Sequence, residues 1–179
     1  MACDITVGKA KICKDGQGGL KFCGFVNDGE ITGYTYDVTN TDMIATVTGT
    51  PDLFKWVLSK STNNAETTFV TSDETGSSYF ESVITLTFPK LDVVTQKEIK
   101  LLVAGNPKLV LGDNNNNYFL FGKERGCSVT GGTMTSGTAM GDLSGYTLVL
   151  TAQEAVPPNF IDASSEADLT TAGFTIVTA

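Results

Sequence analysis

From Tyr79 to Phe88, Phe80, Ile84, Leu86 and Phe88 alternate with Tyr79, Glu81, Thr85 and Thr87. A period of two puts the first set on one face of an extended chain and most of the second on the other, which a helical period does not do. The segment reads as a half-buried antiparallel strand, and it needs further strands to complete a layer.

Those strands are legible on both sides of it. Leu20 to Val26 and Ile31 to Val38 are β-rich runs flanking Asn27-Asp28-Gly29-Glu30, and Asp-Gly supplies the positive φ of a tight turn, which predicts a first hairpin. Met43 to Thr48 and Leu53 to Leu58 follow, the latter with the single tryptophan, Trp56. Ser59 to Ser78 is rich in Ser, Thr, Asn and Gly and reads as a long loop or mobile hairpin tip, with a strand at Thr67 to Thr71 inside it. Lys108 to Leu111 and Tyr118 to Phe121 flank a Gly/Asp/Asn run and predict another hairpin, and Cys127 to Met134 pairs with Gly145 to Ala152.

One segment carries a helical signature. Thr95-Gln96-Lys97-Glu98 is a capping box, and Ile99, Leu102 and Val103 recur at helical spacing before Gly105 and Pro107. This predicts one short helix, Thr95 to Ala104, packed across the sheet. Pro157-Pro158 breaks the pattern, so residues 1–158 are expected to form one mostly β domain and residues 159–179 a C-terminal arm. Within the arm Phe174 to Val177 is β-prone and suited to joining a sheet edge.

A chain of 179 residues buries a core without staples. Its charged share of 18% lies below the roughly 25% usual for soluble domains, leaving a weakly charged surface of the kind neighbours cover. A net charge of −8 argues against gripping phosphates, although an acidic wall lets DNA pass without holding it. The opening residues lack a basic stretch followed by an apolar run, and no long apolar run occurs elsewhere, so neither export signal nor membrane span is expected. Cys3, Cys13, Cys23 and Cys127 lack paired spacing and read as free thiols in a reducing cytoplasm.

The sequence has no histidine, which removes Ser-His-Asp, Cys-His and zinc-hydrolase chemistry. Its carboxylates are spread along turns without a pair, so neither an enzyme nor a cofactor is expected. Asp113, Asn115 and Asn117 with Glu124 imitate a calcium loop, but Tyr118 stands where a glycine must turn the chain, and a plain hairpin turn is the better reading. Gly132 to Thr138 has phosphate-loop glycine spacing without the lysine. Phe22, Phe25, Tyr34, Tyr36, Phe54 and Trp56 suit a core better than a stacking platform.

The order running from Tyr79 to Phe160, a long strand, Pro89, one helix, a hairpin and then Gly145-Tyr146-Thr147-Leu148-Val149-Leu150-Thr151, resembles virion structural proteins of tailed bacteriophages. Met1-Ala2-Cys3-Asp4-Ile5-Thr6-Val7-Gly8 and the Phe25-Val26-Asn27-Asp28-Gly29 turn are similar to those of Bacteroidetes-infecting phages. The resemblance to tail-tube subunits implies an antiparallel β-sandwich or partial barrel with one flanking helix, a long loop and terminal arms. It also implies rings of the chain itself stacked into a conduit for DNA, contacts with other virion proteins, and no membrane. On that analogy the long loop, with Ser61, Thr62, Asn63, Asn64, Thr71, Ser72, Asp73, Glu74 and Thr75, makes the contact between rings, and Phe174 and Ile176 in the arm make a second. A head-decoration, neck-ring or tail-terminator protein shares these features, and a carbohydrate-binding module is a reading of another class.

Overall fold

The computed structural model describes residues 7–9, 16–59 and 62–178. The fold is mostly β, with two sheets and two short helices. In chain order the elements are β1 (Leu20–Val26), β2 (Ile31–Tyr36), β3 (Met43–Gly49), β4 (Asp52–Trp56), β5 (Asn64–Ser72), β6 (Ser77–Pro89) and α1 (Val93–Ala104). They continue with β7 (Lys108–Asp113), β8 (Tyr118–Phe121), β9 (Ser128–Thr135), β10 (Gly145–Glu154), β11 (Asn159–Ile161), α2 (Glu166–Thr171) and β12 (Thr175–Val177).

β1 and β2 are not the hairpin that Asp28-Gly29 predicts. Among the described residues β1 pairs with β4 and β7, while β2 pairs only with β3. The registers Phe25↔Phe54 and Ile31↔Gly49 show one long antiparallel ribbon, β1–β2 against β3–β4, bent where residues 27–30 face residues 50–51. Gly29, at φ 88, turns a corner in a continuing strand rather than reversing it. Glu30 fastens the corner by accepting from the Asp52 backbone N–H at 2.9 Å and the Asn27 amide at 2.8 Å.

That corner curls the larger sheet, of order β12-β4-β1-β7-β8-β11-β3-β2, into a partial barrel. Its core gathers Phe22, Val26, Ile44, Leu53, Val110, Tyr118, Leu120 and Ile161, with Leu169 of α2 and Phe174. The smaller sheet, β5-β6-β10-β9, packs Ile84, Leu86, Phe88, Leu148, Leu150 and Ala152 against Cys23, Phe25, Leu109, Leu111 and Phe121. β1, β7 and β8 therefore alternate between two cores, Phe22 to one and Cys23 to the other, Val110 to one and Leu111 to the other. This double burial explains why β1 and β7 read as almost unbroken apolar runs, whereas β6, covered mainly on one face, alternates cleanly.

Residues 159–178 do not hang free as an arm. β11 lies between β8 and β3, and β12 runs parallel to β4. Leu169, Ala172 and Phe174 are buried in the barrel core. Pro157-Pro158 lies in the short connection between β10 and β11 without ending the domain, because apolar side chains spaced along the last segment are drawn into the barrel. Ser59 to Ser78 is likewise mostly strand, since β5 pairs with β6 from Asn64↔Thr85 to Ser72↔Ser77 and leaves only residues 73–76 as the turn. α1 begins at Val93, with Asp92 accepting from the Thr95 backbone N–H, so Thr95 sits inside the first turn instead of capping it. Among the described residues no helix is long and apolar enough to cross a membrane.

Candidate assembly surface

The β5–β6 hairpin outruns its own sheet. β10 accompanies β6 only as far as Glu154↔Phe80, whereas β5 stays with β6 out to Ser77, so the distal hairpin lacks a third strand. On the face that farther down carries Ile84 and Leu86, Phe69 and Phe80 pack edge to face at 5.1 Å between ring centroids. Phe69 is nonetheless 68% exposed. Covering a side chain of this size returns about 1.5–3 kcal/mol, which makes the pair a strong anchor for a neighbour. Tyr79 and Val83 are exposed on the reverse face. At the tip Gly76 adopts φ 61 and the Thr75 backbone N–H donates to Ser72 Oγ at 3.3 Å.

A second apolar surface lies at the diagonally opposite corner. α1 sets Ile99 and Leu102 against the sandwich core and leaves Val93, Val94, Leu101 and Val103 exposed. Between this helix and edge strand β9 runs a groove of about 410 Å³, lined by Ile99, Val103, Val129, Met134, Tyr146 and Leu148. Lys100 is the one charged residue lining it, whereas Glu98 lines a separate cleft with Phe54 and Trp56 on the other side of the helix. β9 pairs with β10 alone, so its outer backbone edge has no strand partner among the described residues. The groove sits near the Gly145 end of β10 and the hairpin projects past the Glu154 end, on opposite edges of the sheet.

The other residues singled out in the sequence are distributed unevenly. Thr62, Thr71, Asp73, Glu74 and Thr75 are exposed along the hairpin or at its base, and Ser72 is half-buried. Asn64 is exposed at the start of β5, while the Asn63 side chain accepts from the Thr87 backbone N–H at 2.8 Å and donates to the Ser59 carbonyl, tying the base down. Ser61 lies outside the described residues. Phe174 is 2% exposed and Ile176 packs on the barrel core, so this fold presents neither as an arm contact to a neighbour. The edge that the β-prone terminus joins is that of its own sheet, at β4.

Asp113 organises the β7–β8 turn. One carboxylate oxygen accepts from the backbone N–H groups of Asn115 and Asn117 at 2.9 and 2.8 Å, and the other from their side-chain amides. Partial burial pushes this carboxyl up, but the Asn117 and Asn115 hydrogen bonds outweigh it and hold the group below the usual carboxylate range. Asn115 and Asn114 also clasp Gln17 and Gly18, fastening the segment before β1. Glu124 lies beyond the far end of β8, where its backbone N–H donates to Glu154. The four calcium-like residues are thus not gathered at one point, and no cluster of three metal-ligating groups occurs among the described residues.

Cys23 and Cys127 are free and buried in the sandwich core. Burial pushes the Cys23 thiol well up and raises Cys127 to about 12, with the charge of Glu154 adding to the latter, so both stay protonated near neutrality. Cys3 and Cys13 lie outside the described residues. Phe22 and Phe25 are buried, and Trp56 packs edge to face against Phe25 and Phe88 at 5.3 and 4.8 Å. Half-buried Tyr34 and Tyr36 lie under the Lys123 ammonium, and Tyr34 donates to the Lys123 carbonyl at 3.0 Å. Phe54 is half-buried and lines the cleft beside Trp56, so the six aromatics singled out in the sequence are distributed through packing, not lined up as a platform.

No protein-family model matches the chain, and neither a curated protein nor a solved structure matches it. What the fold and its surface define is a mostly β domain with a projecting hairpin that exposes Phe69 at one corner and an open apolar groove at the other.

Proposed function

We propose that this protein is a structural subunit that works by associating with copies of itself, as a tail-tube protein of a tailed phage assembled in the host cytoplasm and carried in the virion. The observation that carries this reading is the β5–β6 hairpin, which extends past its own sheet with Phe69 in water. An unpaired strand edge carrying an exposed phenylalanine is an aggregation hazard in a protein meant to stay alone, and an assembly device in one that is not. Its location away from the groove favours head-to-tail contacts, which make rings where they close and filaments where they do not. The role needs no cofactor and no catalytic group. A chain of net charge −8 also suits a conduit wall that lets DNA through without specific binding, with other virion proteins meeting the two ends.

Excising the overhang tests the reading. Replacing residues 70–79 by Asn-Gly together with Phe69→Thr removes both the overhang and its exposed aromatic, lets positions 69 and 80 close a two-residue turn, and keeps the whole β6–β10 pairing. The variant is expected to keep the circular dichroism and urea midpoint of the parent, while the protein concentration at which it assembles, followed by light scattering, rises at least about tenfold, equivalent to about 1.4 kcal/mol. Assembly at the parent's concentration would remove the hairpin from the account.

A further inference from the structure

Resting on that self-association, we infer that the groove between α1 and β9 is the receptor for the β5–β6 hairpin of a second copy, with Phe69 as the inserted anchor. Three observations converge on this occupant. The first is chemistry: the groove is walled mainly by aliphatic, methionine and aromatic side chains, with Gln96, Thr130 and Thr133 as its uncharged polar members, and Phe69 is a large exposed apolar group packed edge to face on Phe80. An aromatic already fixed by a neighbour loses little freedom on docking.

The second is charge. From Thr62 to Pro89 the chain contains Glu66, Asp73, Glu74 and Glu81 and no lysine or arginine. The groove has Lys100 on its wall, with Lys97 on the same helix, and Glu98 is turned to the opposite side. An acidic hairpin entering there meets a cation and no lining carboxylate. Two hairpins, or two groove faces, would instead set like charges together.

The third is backbone geometry. β5 and β9 are the two edges of the same sheet, and each lacks a partner on its outer side among the described residues. Phe69 stands on the face of β5 that carries Ala65, and Met134 and Val129 stand on the same face of β9, beneath α1. A strand laid beside β9 with its inward face kept inward therefore brings Phe69 under the helix. The hairpin and the groove cannot meet within one chain, because they occupy opposite corners, so the pairing is head to tail.

The test uses the full chain with Cys3 and Cys13 replaced by serine, Cys23 and Cys127 being buried. Thr71→Cys protein, which keeps the Phe69 anchor and carries its thiol on the same exposed face of β5, and a mass-tagged Val103→Cys protein are mixed at an assembling concentration and oxidised. The expected result is a disulfide-linked heterodimer of one tagged and one untagged chain, exceeding either homodimer. In parallel, Lys100→Glu is expected to raise the assembly concentration at least about tenfold, and Glu74→Lys in the same chain to restore much of it. If the parent assembles but the cysteines do not join and Lys100→Glu changes nothing, the groove assignment is wrong while self-association stands. A parent that stays monomeric throughout the concentration series overturns both.

Discussion

Ending the chain at Pro158 is expected to leave a polypeptide with no cooperative unfolding transition. The lost segment contributes β11 to the interior of the larger sheet, where Phe160 pairs with Phe119 on one side and Met43 on the other. It also contributes Leu169, Ala172 and Phe174 to the barrel core and β12 to the exposed side of β4. Without it β3 and β8 lose their common neighbour and the barrel stands open. The point substitution Phe174→Ala isolates one part of this effect and is expected to lower stability by about 3–5 kcal/mol, against totals of about 5–15 kcal/mol for domains of this kind. Urea unfolding followed by far-ultraviolet circular dichroism measures both. A truncated chain with the parent's midpoint would return residues 159–179 to the status of a detachable arm.

The second large effect concerns the sheet buried on both faces. Leu111→Ala opens a hole in the sandwich core and Leu169→Ala one in the barrel core, each expected to cost about 2–5 kcal/mol. Because β1, β7 and β8 separate the two clusters, the losses are expected to add to within about 0.5 kcal/mol. The double variant then stands at or beyond the edge of folding at 25 °C, while each single variant keeps a cooperative transition. A coupling well above 1 kcal/mol would mean that the two clusters behave as one core and that the strands between them are not a partition.

Local pattern revealed much of this fold, and tertiary pairing decided the rest. Alternation from Tyr79 to Phe88 marks β6, and the Asn-rich run between Lys108 and Phe121 marks a true hairpin. Asp28-Gly29 misleads because a positive φ serves a corner as well as a reversal, and only the partners of β1, which lie far along the chain, distinguish the two. The C-terminal segment looked detachable because Pro157-Pro158 is a local break, yet Leu169 and Phe174 are apolar groups that water drives into the nearest cavity. α2 is too short to announce itself by periodicity, although Ser165 caps it by accepting from the Asp168 backbone N–H.

The candidate surface is partly legible in the sequence. The stretch from Ser59 to Ser78 stands out by composition, but its Ser, Thr and Asn content hides the pairing that makes it β5 and the start of β6. Phe69 carries a signal that composition obscured, since Ala65, Thr67 and Phe69 continue a period of two opposite Ile84, Ser82 and Phe80. The groove had no sequence signature at all. It arises from where α1 crosses the edge of a sheet, and its walls come from segments as distant as Ile99 and Leu148.

The most direct measurement is negative-stain electron microscopy of the purified chain across a concentration series, with light scattering for the mass of each soluble species. The account calls for rings that stack into open-bored tubes as concentration rises, with assembly sharply reduced in the hairpin-excised variant. A chain that remains monomeric at every concentration, with Phe69 permanently in water, would contradict it.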